Sequence, residues 1–192
     1  MAAPLQLDER ELEEHARVHP EQSAVVLRMQ ALLSGSVEPF SRRQLEPGHF
    51  TASAFVISPE RQRVLLIHHA KLRRWLQPGG HVELEDVDLR AAAQREAREE
   101  TGVAGLDALL PGIFDVDIHA IPGSGRESGH LHFDVRYAFL AHTDRLLVSS
   151  EVQEARWVAL DRVQTLTSEV SVLRCVERLG SLGPAPVPGF SY

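Results

Sequence analysis

Between Gly79 and Val103 the chain reads GGHVELEDVDLRAAAQREAREETGV, a stretch that leaves little choice of local structure. Pro78-Gly79-Gly80 breaks any regular element at its start. Asp86 or Asp88 can cap a helix over Leu89 to Thr101, and Gly102 ends it. On that helix Glu96, Glu99 and Glu100 stand at i, i+3 and i+4 and project from one side. Like charges so placed oppose the helix by roughly 0.2–0.5 kcal/mol per pair. They also lie toward the end where the helix dipole is already negative. The arrangement is locally unfavourable unless a cation sits among the carboxylates. Several carboxylates and water suit a hard divalent ion, Mg2+ or Mn2+. Arg95 can hold one carboxylate in place. Gly79 and Gly80 allow close backbone approach, and a carbonyl there can complete the coordination shell.

Composition narrows the setting. The 192 residues suit one domain with an extension. No apolar run approaches the ~20 residues of a membrane span. Asp8, Glu9, Glu11, Glu13 and Glu14 argue against a secretory signal peptide. Cys175 is the only cysteine, so an intrachain disulfide and a cysteine zinc site are excluded, and a cytoplasmic location is expected. The net charge is −7 with no basic block, which argues against binding a nucleic-acid duplex. An acidic chain that handles a polyanion needs positive charge from elsewhere, and a metal ion supplies it.

The expected organisation is an N-terminal helical extension (1–45), a main domain (46–182) and a flexible Pro/Gly-rich tail (183–192). In the extension, a helix starting near Asp8 ends at Pro20, and a second runs to about Leu33. These helices pack on the domain or on a second subunit, which leaves room for a homodimer. Strands are expected near Thr51–Ile57, Val64–Ile67 and Trp157–Leu160, and a closing helix over Ser168–Leu179 that holds Cys175 structurally. Strands and helices mix without regular alternation, so the class is α/β, a mixed sheet flanked by helices.

A second polar constellation lies on a predicted hairpin. Asp115, Asp117 and His119 share one face of its first strand; His132, Asp134 and Arg136 share one face of the second. Paired in register, the six form a patch that can bind the non-phosphate half of a substrate, or its phosphates through Arg136. A sharper alternative is a metal centre from His130, His132 and Asp134; the plainest is a solvated sheet face. Trp75 can stack on a base or close the core. Lys71, Arg73 and Arg74 form a small basic cluster that can steer anions.

The segment resembles the signature of the Nudix hydrolases, G-x5-E-x7-R-E-U-x-E-E-x-G-U with U apolar. Arg95 to Val103 matches fully. The first half departs: counted forward from Gly80 its acidic slot holds Asp86, and counted back from Arg95 it holds Val87, so the segment is one residue longer. The resemblance implies an α/β/α sandwich and metal-dependent cleavage of a diphosphate linkage in a nucleoside diphosphate bound to another group. It implies Glu96 and Glu100 as principal metal ligands, Glu99 as a further ligand or water-orienting base, and a carbonyl from Gly80. It also implies an acidic residue before a late Trp-Val strand, for which Glu151 is the choice over Glu154. Arg95 is counted with Glu99 and Glu151 in the catalytic set. Two alternatives stand beside hydrolysis: a catalytically silent nucleotide-binding or regulatory module, and isoprenoid-diphosphate isomerisation. The latter needs a suitably placed active-site cysteine.

Overall fold

Two faces of one mixed sheet organise the chain. The structure is a computed structural model, and it describes residues 7–70, 72–123, 125, 128–147 and 152–183. Helix α1 (Glu9–Val18) starts at Asp8, whose carboxylate accepts from the Arg10 N–H. A 3-10 turn (Pro20–Gln22) leads into α2 (Ser23–Gly35). The remaining elements are β1 (Gly48–Ile57), β2 (Arg63–His69), β3 (Arg74–Leu76), β4 (Gly79–His81), α3 (Leu89–Thr101), β5 (Leu106–Ala108), β6 (Asp115–Ile121), β7 (His130–Ala141), β8 (Val152–Ala159), a 3-10 turn (Leu160–Thr165) and α4 (Val170–Ser181).

Strand β1 is buried along its whole length. It runs parallel to β7, with His49 opposite His132 and Ser53 opposite Arg136. The other pairings are antiparallel: β2 with β1, β3 and β8, β4 with β1, and β5 and β6 with β7. Alternation along the strands sends successive side chains to opposite faces. Phe50, Ala52, Ala54 and Val56 of β1 pack with Leu89, Ala92, Ala93 and Ala97 of α3. Phe55 and Ile57 face the other way, toward Val172, Cys175, Val176 and Leu179 of α4. Helices therefore cover both faces of the sheet, giving the expected α/β/α layering.

The N-terminal helices are part of this core. Leu12, Val26, Met29 and Leu32 lie buried in the cluster that holds α3 and β1. The Gln22 amide donates to the Val116 carbonyl (2.9 Å) and its oxygen lies 2.9 Å from His15 Nε2, tying the helical pair to β6. Of the two packing partners left open by the sequence, the domain itself is the one the structure shows.

One local expectation is corrected. Gly79–His81 does not merely break structure; it forms a short strand against β1, with Ala52 opposite Gly80 and Thr51 opposite His81. Glycine makes this possible by omitting a side chain. A Cβ on Gly79 would lie 2.4 Å from Ser53 Oγ and 2.8 Å from the Ala52 carbonyl oxygen. Strands β3 and β5 are three residues each, too short to leave a period in the sequence.

Candidate active site

Helix α3 delivers the acidic residues as the sequence suggests. Asp88 caps it by accepting from the Ala91 N–H (2.7 Å), and Gly102 ends it in the left-handed conformation (φ 66°). Arg95 organises what lies between. Its guanidinium donates to both oxygens of Asp86 (3.0 and 2.9 Å), to Glu96 (3.0 Å), to Glu99 (2.9 Å) and to the His81 carbonyl (2.9 Å). The hydrogen bond to Asp86, outweighing burial, and further bonds and charge from Glu96 hold its pKa above the ordinary arginine value. Asp86 is thus one of three acids that pair with Arg95, with Glu96 and Glu99.

The carboxylates are pinned from the strand side as well. The Gly79 N–H donates to Glu100 (3.1 Å), whose side chain is largely buried. At Gly80 a Cβ would lie 2.7–2.8 Å from the Glu96 carboxylate, so a side chain there would make that carboxylate move. Glu99 remains over half exposed at its side chain. Three carboxylates from one helix face beside a glycine backbone offer the oxygen donors that a hard divalent cation takes.

The hairpin pairs in the register that gathers the polar patch: Asp115 opposite Arg136, Asp117 opposite Asp134, His119 opposite His132. Its lower part is interior. Arg136 is 2% exposed and donates to Asp134 (2.8 Å) and Asp115 (3.2 Å), with Asp117 at 3.2 Å. Asp134 also accepts from Ser53 (2.8 Å) and Thr51 (3.2 Å), and Asp115 is clamped by Arg174 and Arg178 of α4. Burial makes Asp117 harder to ionise. The His119 hydrogen bond and the charges of Arg136, His119 and Arg174 outweigh this and hold its carboxyl below the ordinary aspartate value.

Arg136 and Asp134 are thus committed to a buried ion network. The Cys175 thiol beside Arg136 is pushed up by its burial, a structural rather than nucleophilic setting. The isomerase alternative consequently lacks its cysteine.

The upper part of this face is a histidine cluster. His49, His81, His130 and His119 lie around His132, with ring centroids 5.0–5.5 Å from it. Burial, then the neighbouring histidines, pushes the His132 pKa down to about 2, so its imidazole is neutral. The proposed set of His130, His132 and Asp134 is not what the fold assembles, because Asp134 points into the ion network. His49 and His81 take part instead. Both were missed because the sequence carries no trace of the β1–β7 and β1–β4 registers that deliver them.

Trp75 stands apart on β3. Its ring meets His68 edge-on (5.3 Å), and the Arg156 guanidinium lies 5.1 Å from its centroid. Glu151, Lys71 and residues 184–192 of the expected tail lie outside the described residues. Glu154 is on β8, paired with Arg156.

Comparison with known proteins agrees with this fold. The model of the NUDIX domain matches residues 47–178, and the chain belongs to the Nudix family. That family defines an enzyme acting on phosphoric anhydride bonds. No curated protein matches the sequence. Among solved structures, the chain is similar to the NUDIX domain of Shewanella oneidensis NrtR, which is complexed with ADP ribose. Identity there is 20%, over 80% of this chain and 97% of that one, with a TM-score of 0.53. The Nudix hydrolase RenU of M. smegmatis shares 20% identity over 72% and 91% of the two chains (TM-score 0.53). A NUDIX-family hydrolase from Clostridium perfringens shares 23% over 70% and 98% (TM-score 0.50). These likenesses establish the fold. No helix among the described residues is long and apolar enough to cross a membrane.

Proposed function

We propose that this protein is a divalent-metal-dependent hydrolase that splits the diphosphate linkage of a nucleoside diphosphate bound to another group. The observation that carries the reading is the closed contact at Gly80. A glycine backbone there lies against the Glu96 carboxylate, Gly79 holds Glu100, and Arg95 holds Glu96 and Glu99. Mg2+ or Mn2+ would be held by Glu96, Glu100, Glu99 and the Gly80 carbonyl. When bound, such an ion neutralises the diphosphate and lowers the pKa of a water.

The protein's own residues do the rest. Arg95 keeps two carboxylates oriented and fastens them to β4 through the His81 carbonyl. Glu99, the most exposed of the three, is the base that takes the proton from the attacking water, and Glu151 is kept as a further acid of the catalytic set. His119 and His132 lie on the other face of the sheet from the carboxylate cluster and Trp75 stands apart on β3, so the three substrate contacts expected from the sequence are not assigned to the cleavage site. Asp134 and Arg136 lie beneath the histidines in the buried ion network. We place the enzyme in the cytoplasm, with residues 46–182 as the catalytic domain.

The test is a product-identity screen over nucleotide diphosphates, with Mg2+, Mn2+ and EDTA arms. Cleavage of one class that disappears in EDTA supports the reading. Tight nucleotide binding with no product from a folded, metal-loaded protein would favour a regulatory module instead.

A further inference from the structure

We propose a second metal site, distinct from the carboxylate cluster, in which His49, His81 and His132 bind a divalent transition-metal ion such as zinc. The three come from β1, β4 and β7, and no two are near in sequence. One ligand nitrogen from each lies within 4.8 Å of the others. Two imidazoles on a tetrahedral ion with bonds of about 2.0–2.1 Å stand about 3.3 Å apart at nitrogen. The set therefore closes around an ion with side-chain shifts of about 1.5 Å or less and no movement of the sheet.

The neighbours prepare the nitrogens for this. His49 Nδ1 lies 2.9 Å from the Gln44 carbonyl. A carbonyl only accepts, so the proton sits on Nδ1 and Nε2 is the basic nitrogen. Such a carbonyl partner is what fixes the tautomer of a metal-binding histidine. His130 repeats the device: its Nδ1 faces the Ser128 carbonyl (3.1 Å), and its Nε2 lies 3.3 Å from His132 Nε2. That contact joins His130 to His132 as a neighbour of the three-histidine set.

Ligand chemistry separates this site from the other. Imidazoles alone suit zinc, nickel, copper, cobalt or ferrous iron, whereas magnesium and manganese prefer the carboxylates. The two sites lie on opposite faces of β4. Gly80 faces Glu96, while His81, one residue on, faces His49 and His132. Arg95 joins them through the His81 carbonyl. An ion on His81 would thus clamp the strand whose glycine shapes the carboxylate cluster.

The test is a Co2+ titration of the metal-stripped full chain in excess Mg2+. The expected result is one Co2+ per chain with the visible absorption of nitrogen-ligated cobalt, displaced by Zn2+. Loss of partners that merely orient ligands costs 10–100-fold in affinity. His81→Gln and His132→Gln, each checked for fold by circular dichroism, should therefore weaken binding by about 100-fold or more. His81 is partly exposed, so its variant keeps the test valid if His132→Gln misfolds. Glu96→Gln/Glu100→Gln should keep the absorption. Absence of the band in folded wild-type protein overturns the site. So does loss of the band in the carboxylate variant with retention in both histidine variants.

Discussion

Replacing Gly80 with alanine puts the carboxylate geometry under direct strain. Gly80 does not use a left-handed backbone, so alanine is allowed there by its own dihedral angles. The obstacle is the Cβ, 2.7 Å from Glu96 Oε1, where ordinary contact begins at 3.4 Å. Glu96 must retreat by about 0.7 Å. The end of a flexible side chain can make that shift at little cost in stability, but the shift disturbs its 3.0 Å hydrogen bond from Arg95, whose guanidinium also holds Glu99 and Asp86. Misplacing a reacting geometry by about 1 Å costs up to about 100-fold in rate. Gly80→Ala should therefore lose about 10–100-fold in kcat/KM, or about 1.4–2.7 kcal/mol of transition-state stabilisation. Stability should change little, because alanine also restricts the unfolded chain by about 0.4–1 kcal/mol. Gly112→Ala is the matched control, since a Cβ there meets nothing within 4 Å. The assay is steady-state hydrolysis of the substrate found in the screen, with urea unfolding alongside. A Gly80→Ala enzyme within twofold of wild type in kcat/KM would refute the reasoning.

Other expectations follow from the buried network and the core. Asp115→Ala strands Arg136, Arg174 and Arg178 without their shared carboxylate and should cost about 3–5 kcal/mol in urea unfolding. Met29→Ala, in a fully buried position of α2, should cost about 2–5 kcal/mol, whereas a detachable extension would show almost none. The depressed Asp117 pKa means the unfolded chain binds more protons there. That stability is full above the ordinary aspartate range and is lost as pH falls through the lower folded value, so the difference between wild type and Asp117→Asn should shrink in acid. His132 follows the same sign at higher pH. Unfolded, it protonates near 6.5; folded, near 2. In metal-stripped protein, stability should fall below pH 6.5 by up to about 1.4 kcal/mol per pH unit, and His132→Asn should flatten that slope.

Local signals in the sequence carried much of this structure. Helix α3 begins and ends at Leu89 and Thr101 as its caps imply, because Asp88 and Gly102 act through neighbouring backbone groups. The hairpin face was legible because alternation on β6 and β7 is local too. What the sequence did not carry is pairing between distant segments. The parallel β1–β7 register brings His49 beside His132, and the β4–β1 contact brings in His81. Arg136 read as an exposed anion contact because alternation separates the two faces of a strand without saying what covers each. Here α4 covers that face, with the Ser171 hydroxyl 3.3 Å from the guanidinium. Asp86 read ambiguously for a similar reason: its partner Arg95 is nine residues away, across a loop whose path the spacing does not dictate.

The most direct test of the central claim is turnover by Glu100→Gln beside wild type, with Mg2+ and with EDTA. The glutamine oxygen can still accept from the Gly79 N–H, so the fold and that contact survive while the charge is lost. Magnesium-dependent diphosphate cleavage by wild type, abolished by EDTA and reduced at least about 100-fold in a folded Glu100→Gln, is the predicted result. Equal turnover by the two proteins, or cleavage that persists in EDTA, would contradict it.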